Sequence, residues 1–208
     1  MAMTVADCPG TLKTDTPDEM LVMVERAREG HRSSFEQLIG IFQDEIFHMI
    51  FYRIRSRSDA EDLTQDVCLR AYKNIHRLKN GDRFRSWLFG IAVNLVHDFH
   101  RKRQFLRFFT DFHEEINRDE QKTEKTSDNP ADRLLNKEFW SHVSNMSSKL
   151  CRMEKEVFFL RFMDHLSIKE ISQALNKSES TVKTHLYRAL KKFKEDDALI
   201  EMLQGGEE

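Results

Sequence analysis

The stretch from Leu166 to Lys194 constrains the fold of this chain more than any other, because it predicts two short helices joined by a tight turn. Ser167 and Glu170 have the spacing of a capping box, which satisfies free backbone amides at a helix start. Asn176 lies where the chain must turn, and asparagine tolerates left-handed backbone better than most residues. Ser178 can cap the second helix. The pattern therefore predicts a helix-turn-helix.

The second helix of this motif has an apolar face and a polar, basic face. Helical spacing predicts that four apolar residues pack inward: Val182, Leu186, Leu190 and Phe193. The opposite face carries Ser180, Thr181, Lys183, Thr184, His185 and Arg188. Such a helix suits the major groove of DNA, where short polar side chains reach base edges and cations reach phosphates. A solvated basic helix on an ordinary bundle is the alternative.

Charge is segregated along the chain, although the formal net charge of its 208 residues is only −2. Residues 83–107 contain six Lys or Arg against one Asp, and residues 177–194 contain six against one Glu. Between them, residues 111–132 contain eight acidic side chains against three basic ones. Because local cations displace phosphate counterions, two basic blocks around an acidic spacer predict two contacts with nucleic acid.

The rest of the sequence predicts an all-α protein. Helical periodicities are long, the chain has only seven Gly and three Pro, and no strand-like alternation extends over any length. We expect two small helical domains joined by a flexible acidic linker, preceded by a disordered leader. The expected ranges are 1–15 for the leader, 16–109 for the first domain, 110–128 for the linker and 129–208 for the second domain, which contains the helix-turn-helix.

Helix starts in the first domain are marked by capping boxes. Three pairs have the required spacing: Thr16 with Glu19, Ser33 with Glu36, and Ser58 with Glu61. The first helix is expected to end near Arg28 and the third near Arg77. After a turn signal at residues 80–82, a long and largely apolar helix is expected from Ser86 to Arg103.

Cysteine usage and hydropathy favour a cytoplasmic protein without membrane insertion. Cys8, Cys68 and Cys151 are isolated and odd in number, so a disulfide framework is not expected. The apolar stretches are too short to span a bilayer, and no signal segment is visible. His97 and His100 could form a metal pair but lack a third ligand nearby. No catalytic motif is present, so we expect neither an enzyme nor a cofactor or metal.

Two pairs of longer motifs resemble a known family. Residues 59–67 and 84–95 resemble the second conserved region of bacterial sigma factors of the extracytoplasmic-function (ECF) group of the sigma-70 family, and residues 156–162 and 180–189 resemble the fourth. The resemblance covers roughly residues 18–195. It implies a promoter-specificity subunit that binds core RNA polymerase and recognises the −35 and −10 elements of promoter DNA. Such a subunit promotes DNA opening, here for a stress or envelope-type regulon.

The resemblance also implies three sets of contact residues. Those for core RNA polymerase are Asp59, Glu61, Asp62, Gln65 and Asp66. Those for the −10 element, where one base is captured out of the stack, are Asn80, Asp82, Arg83, Phe84, Asn94, Arg101, Lys102 and Arg103. The −35 element would be read by the polar face of the helix-turn-helix described above. Core packing is the alternative for Phe84 and for Trp87.

The recognition helix departs from the family pattern at two positions. Ser180 stands where glycine is usual, and His185 stands where arginine is usual. A neutral imidazole cannot form the charged fork of arginine, so one DNA contact is expected to be weaker or differently specific.

The family further implies an anti-sigma factor as a partner, which covers both DNA-binding surfaces. Two other functions are open. The first is a repressor or activator that acts without polymerase, which usually dimerises and would leave the acidic helix from Asp59 to Asp66 unexplained. The second is a helical adaptor whose basic faces bind acidic proteins.

Overall fold

A computed structural model describes residues 17–110 and 149–194 of the chain, with side chains for residues 18–105 and 149–193. Within these ranges there are seven α-helices and no strand, which confirms the all-α prediction. The helices are α1 (Pro17–Arg28), α2 (Arg32–Ile54), α3 (Arg57–Asn74), α4 (Phe84–Thr110), α5 (Arg152–Phe162), α6 (Ile168–Ala174) and α7 (Glu179–Lys194). None of these helices combines the length and the apolar character needed to cross a lipid bilayer.

The predicted leader, the acidic linker and Thr16, the predicted cap of the first helix, lie outside the described residues. The domain boundaries therefore remain predictions. The first helix agrees with its prediction, since α1 starts with Pro17 and ends at Arg28.

The helix-turn-helix forms as its local signals predict. Glu170 N donates to Ser167 Oγ over 3.2 Å, and Ser167 N donates to Glu170 Oε2 over 2.8 Å, so the capping box at the start of α6 is complete. Asn176 has a φ of 52°, the predicted left-handed turn. Thr181 N donates to Ser178 Oγ over 3.2 Å at the start of α7.

The capping box predicted at Ser33 is wrong. α2 begins at Arg32, so its cap position is His31, two residues before Ser33, and His31 makes no side-chain capping bond. The Glu36 carboxylate instead accepts from Arg32 Nε over 2.7 Å, because the two lie one turn apart on the exposed side of the helix.

The box predicted at Ser58 is wrong for the same reason. α3 is capped by Ser56, whose side chain accepts from Asp59 N over 3.4 Å. Glu61 accepts from Arg57 Nε over 2.9 Å and does not turn back to the helix start. An arginine one turn before a glutamate thus competes successfully for the carboxylate that a capping box would need.

The boundaries around α4 also differ from the prediction. α3 ends at Asn74, because residues 75–77 tighten into a 3-10 turn, and a second such turn covers residues 81–83. α4 begins at Phe84 instead of Ser86 and continues to Thr110. The Ser86 hydroxyl lies inside the helix, within hydrogen-bond distance of Arg83 O (3.0 Å) and Gln173 Oε1 (2.7 Å).

The two described segments share one core. Buried side chains of α5, α6 and α7, among them Val157, Ile171 and Val182, join the same apolar cluster as those of α1 to α4. A smaller cluster of Leu150, Ala189 and Phe193 contacts Phe158 and so packs α5 against α7. Leu190, predicted to face inward, is 41% exposed. The structure thus packs the helix-turn-helix directly against the first four helices.

α4 and α6 pack tightly at Gly90. A Cβ atom at this position would lie 2.9 Å from the carbonyl oxygen of Ala174, a distance that real Cβ contacts do not reach. Gly90→Ala is therefore expected to push the helices apart and lower the free energy of unfolding by about 1–3 kcal/mol, measured by urea denaturation.

Gly40 is the matched control for this substitution. It lies within α2, and a Cβ there would meet nothing within 4 Å. Gly40→Ala should stabilise the protein by about 0.5–1 kcal/mol through the lower backbone entropy of the unfolded chain. Equal stabilisation by both substitutions would show that α4 and α6 are not in contact in solution.

A buried ion cluster also joins the two segments, and its centre is Arg53 at the end of α2. Arg53 Nη2 lies 2.9 Å from Glu156 Oε1 and 2.8 Å from Asp164 Oδ2, and the Arg53 side chain is only 5% exposed. Arg53 Nη1 donates to Met49 O over 2.9 Å. His97 Nε2, from α4, lies 3.1 Å from the second oxygen of Glu156.

The cluster predicts a pH dependence of stability. Burial alone would raise the pKa of Glu156, but the Arg53 charge and the His97 hydrogen bond outweigh burial and lower that pKa from 4.5 to about 2. Because folding depresses this pKa, the Glu156 contribution is complete above about pH 5. It is lost as the pH falls through 4.5 toward 2.

The contribution is on the order of 3 kcal/mol. Burial raises the pKa of Asp164, although the Arg53 charge acts in the opposite direction. The pH dependence of wild-type stability therefore contains contributions from both carboxyl groups. The measurement is the difference in unfolding free energy between wild type and Glu156→Gln at pH 7, 5 and 3. A difference that stays constant over this range would contradict the prediction.

Candidate polymerase-docking and nucleic-acid interfaces

The acidic residues predicted to dock on polymerase lie along the outer face of α3. Ala60, Thr64, Val67 and Ala71 face the core and thereby fix the orientation of the helix. Glu61, Asp62, Gln65 and Asp66 are exposed, and Asp59 is half-buried in the first turn. The Glu61 carboxylate is occupied by Arg57, whereas Asp62 and Asp66, one turn apart, point to the same side. These two aspartates are therefore the best placed to pair with a partner helix.

Two apolar side chains extend this acidic face. Leu69 is 56% exposed, and Tyr72 is 49% exposed with one edge against Phe35 (ring centroids 5.1 Å apart). Leu69 lies one turn beyond Gln65 and Asp66. The predicted docking residues did not include Leu69, although its position off the buried stripe of α3 is visible in the sequence. α3 therefore presents charged and apolar side chains together, as protein interfaces do.

The loop before α4 presents three of the predicted −10 contacts. Asn80 caps the 3-10 turn of residues 81–83, and its Oδ1 accepts from Asp82 N over 3.0 Å. Asn80, Asp82 and Arg83 are all exposed. Gly81 is buried, and a Cβ there would meet Leu21 at 3.1 Å, so α1 supports the loop from beneath. The polar side chains thus stand outward from a packed base.

Phe84 does not lie with these residues. It is 1% exposed and packs against Phe42 and Trp87, with ring centroids 5.6 and 5.9 Å away. Its backbone is already in the first turn of α4, which directs the ring into the bundle. Phe84 is therefore a core residue in this structure rather than a base contact, and the prediction of a DNA contact there is corrected.

The outer face of α4 carries the remaining −10 candidates. Asn94 is exposed although both residues on either side of it are buried, so its amide faces outward as predicted. Asp98 and Arg101 follow Asn94 at helical spacing, and Arg101 Nη2 lies 3.0 Å from Asp98 Oδ1. Arg101, Lys102 and Arg103 are all exposed at this end of the described side chains. A polar and basic strip therefore runs along α4.

On α7 the exposed candidates are Ser180, Lys183, Thr184 and Arg188. Thr181 is half-buried, and its hydroxyl lies 2.8 Å from Ser178 Oγ in the helix cap. The Thr184 hydroxyl donates to Ser180 O over 2.9 Å. Lys183 and Arg188 provide two cations along the same surface.

His185 departs from this surface. It is half-buried, and its Nδ1 is enclosed without a hydrogen-bond partner among the described residues. One ligand atom each of Cys151, Glu154 and His185 lie within 4.8 Å of one another. Cys151 and Glu154 are three residues apart, but His185 comes from another helix, so no spacing in the sequence predicts this group. His97, considered above as half of a metal pair, is instead engaged with Glu156.

Family models match both halves of this architecture. The model described as sigma-70 region 2 matches residues 38–105, which include α3 and most of α2 and α4. The model described as sigma-70, region 4 matches residues 144–193, which include α5, α6 and nearly all of α7. Together the two matches cover more than half of the chain.

Individual proteins agree with these matches. The chain is 32% identical to the ECF RNA polymerase sigma factor BldN of Streptomyces coelicolor over 83% of its own length and 63% of BldN, so it spans less than two thirds of that relative. It is 29% identical to the ECF RNA polymerase sigma factor SigW of Bacillus subtilis over 82% of this chain and 93% of SigW.

A solved structure shares the fold. It is the sigma factor RpoE in complex with the anti-sigma factor NepR from Bartonella quintana, with a TM-score of 0.56 and 17% identity, covering 84% of this chain and 98% of that one. Sequence motifs, helical architecture and both family matches agree. The chain therefore belongs to the sigma-70 family of RNA polymerase sigma factors, in the ECF group.

Proposed function

We propose that this chain is a promoter-specificity subunit that docks on core RNA polymerase through the outer face of α3. The docking residues are Asp59, Glu61, Asp62, Gln65 and Asp66, with Leu69 added from the structure. Carboxylates on adjoining turns can pair with arginines of a partner helix, and the neighbouring exposed leucine provides apolar contact.

The −10 element binds along the loop before α4 and the outer face of that helix. Asn80, Asp82 and Arg83 provide donors and acceptors for a base that has left the stack, and Asn94 offers an amide from the helix itself. Arg101, Lys102 and Arg103 contact phosphates, which position the DNA without reading its sequence. Capture of an unstacked base is also what promotes DNA opening.

The −35 element binds to α7. Ser180, Lys183, Thr184 and Arg188 are the exposed residues that make these contacts, while Thr181 and His185 contribute from the half-buried edge of the helix. The observation that carries the whole proposal is the coexistence, on one chain, of an exposed acidic face on α3 and an exposed polar, basic face on α7. A sigma subunit needs both surfaces, whereas a simple DNA-binding regulator needs only the second.

The chemistry of transcription then belongs to polymerase, and this subunit is not an enzyme and needs no cofactor for its role. It works in the cytoplasm, at the nucleoid, on a stress or envelope-type regulon. An anti-sigma factor that covers the DNA-binding surfaces regulates it. The RpoE–NepR complex supports this partner class, because a protein of the same fold is held there by an anti-sigma factor.

The test is run-off transcription with the purified chain, bacterial core polymerase and the promoter region of its own operon. Core-dependent initiation from a discrete start site is expected. Binding to that DNA without polymerase, together with the absence of a transcript, would favour the repressor or activator. Binding of acidic proteins but not DNA would favour the adaptor.

Arg188→Ala provides a sharper test of the −35 assignment. We expect initiation from a promoter with an intact −35 element to fall roughly tenfold, because one exposed cation that contacts DNA is lost. Co-elution with core polymerase should not change. The readout is the ratio of transcripts from the intact promoter and from one whose −35 element has been replaced.

Arg26→Ala is the matched control, since it removes another exposed arginine from α1. It should leave the transcript ratio unchanged. Equal losses for both substitutions would mean that α7 contributes only general positive charge and that the −35 assignment is wrong.

A further inference from the structure

Cys151, Glu154 and His185 bring three different metal-ligating groups together between the start of α5 and the middle of α7. One ligand atom from each lies within 4.8 Å of the other two. Cys151 directly precedes α5, Glu154 is in the first turn of α5, and His185 is in the middle of α7. Neither the −10 nor the −35 surface accounts for this arrangement.

Helix capping explains only part of the cluster. Cys151 N donates to Glu154 Oε2 over 3.0 Å, which holds these two residues together at the start of α5. His185 arrives from another helix. It lies one turn before Ala189, which is fully buried in the contact of α7 with α5, so packing turns the imidazole toward Cys151 and Glu154.

Two residues of the cluster have an atom that could coordinate a metal ion and has no hydrogen bond among those described. His185 Nδ1 is buried and has no hydrogen-bond partner among the described residues, which is uncommon for an enclosed polar atom. Glu154 is 4% exposed, and its bonds from Cys151 N and from Lys192 Nζ (2.7 Å) both end on Oε2. An ion can take Oε1 without breaking either bond. Cys151 is exposed, so an ion can reach it from solvent, and its sulfur accepts from Glu154 N in the helix cap.

The donor set selects the class of metal. Calcium and magnesium take oxygen ligands, whereas sulfur, nitrogen and one carboxylate oxygen together suit zinc and similar transition-metal ions. In a tetrahedral zinc site, ligand atoms lie roughly 3.2–3.8 Å apart, given Zn–S of about 2.3 Å and Zn–N or Zn–O of about 2.0 Å. The ligand atoms here lie within 4.8 Å of one another, so binding requires the three side chains to move closer together.

We propose that Cys151, Glu154 and His185 form a binding site for a divalent transition-metal ion of the zinc type, with water as the fourth ligand. The thiol releases its proton to solvent when the thiolate coordinates the ion, and no electron transfer is involved. The bound ion fastens the start of α5 to the centre of α7. Under the proposed function, it also fixes His185 within the helix that reads the −35 element.

Cobalt is the probe, because tetrahedral Co²⁺ with a thiolate ligand gives a sulfur-to-cobalt charge-transfer band and intense visible bands. The reduced, full-length chain should show both, and Zn²⁺ should displace them. Cys151→Ser should lose the charge-transfer band while keeping the fold, since serine is a good helix cap. The Cys8→Ser/Cys68→Ser variant is the matched control; it leaves Cys151 as the remaining cysteine and should retain the band.

His185→Gln tests the contribution of α7. Loss of this ligand should weaken Zn²⁺ binding by more than the roughly 10–100-fold typical of outer-shell changes, measured by competition with a chromogenic chelator. His165→Gln, at an exposed histidine of the loop before α6, should not change the affinity. Circular dichroism verifies folding of each variant.

Three results would overturn the proposal: no charge-transfer band in the wild type, the same band in Cys151→Ser, or unchanged zinc affinity in His185→Gln. These outcomes are independent of the proposed function. Run-off transcription in the presence of a chelator tests the sigma role by itself, and a metal site that binds cobalt as described would survive the failure of that assay.

Discussion

Asp62→Lys combined with Asp66→Lys is expected to abolish association with core RNA polymerase. Both carboxylates are exposed on one side of α3, away from the buried stripe of that helix. Reversal of both charges replaces two attractive contacts by repulsive ones. We expect the affinity for core polymerase to fall by about 3 kcal/mol or more, roughly 100-fold. Size-exclusion co-elution and competition against unmodified chain measure this loss.

The control variant changes the net charge by the same amount as Asp62→Lys with Asp66→Lys, but at positions outside α3. Glu29→Lys combined with Asp44→Lys reverses two exposed acidic side chains, one directly after α1 and one on α2. It should leave core binding almost unchanged, because screening weakens charges far from an interface. Core binding that falls equally in both double variants would mean that polymerase senses total charge, and α3 would lose its assigned role.

Local sequence signals succeeded where no competing partner was near. The capping box of Ser167 with Glu170 and the left-handed turn at Asn176 involve only neighbouring backbone, and both are present. Equal spacing failed at Ser33 and at Ser58, because an arginine one turn before each glutamate holds its carboxylate. Spacing identifies a possible cap, but ion pairs on the helix surface decide whether it forms.

The candidate surfaces were predictable to the extent that a single helix defines them. The polar face of α7 follows from helical periodicity, whereas the acidic residues of α3 and the role of Asn94 came from the family resemblance. The structure places Asn94 and most of these acidic residues on exposed helix faces. The prediction for Phe84 was wrong because the direction of its ring depends on where α4 starts. The helix starts at Phe84, two residues before the predicted start. The prediction that His185 faces outward was wrong because residues at the start of α5 surround it. The spacing of residues within α7 contains no information about that contact.

The contact between the two segments was the least predictable feature, because its partners are more than a hundred residues apart. The arginine at its centre yields the second large effect. Arg53→Met should lower the free energy of unfolding by about 3–5 kcal/mol, since it leaves Glu156 and Asp164 buried without a cation. Urea denaturation measures the change. Small-angle scattering should show a larger radius of gyration if the segments part before they unfold.

Two comparisons separate the cluster from general effects of losing an arginine. Arg57→Met breaks a 2.9 Å pair with Glu61 in which both side chains are about half exposed, so its effect should stay below about 1 kcal/mol. Arg53→Met combined with Glu156→Leu and Asp164→Leu removes the stranded charges and should recover most of the stability. If Arg53→Met were as mild as Arg57→Met, the cluster would not join the segments in solution. If the triple variant did not regain stability, the contact of α4 with α6 around Gly90 would require the polar contacts of the cluster.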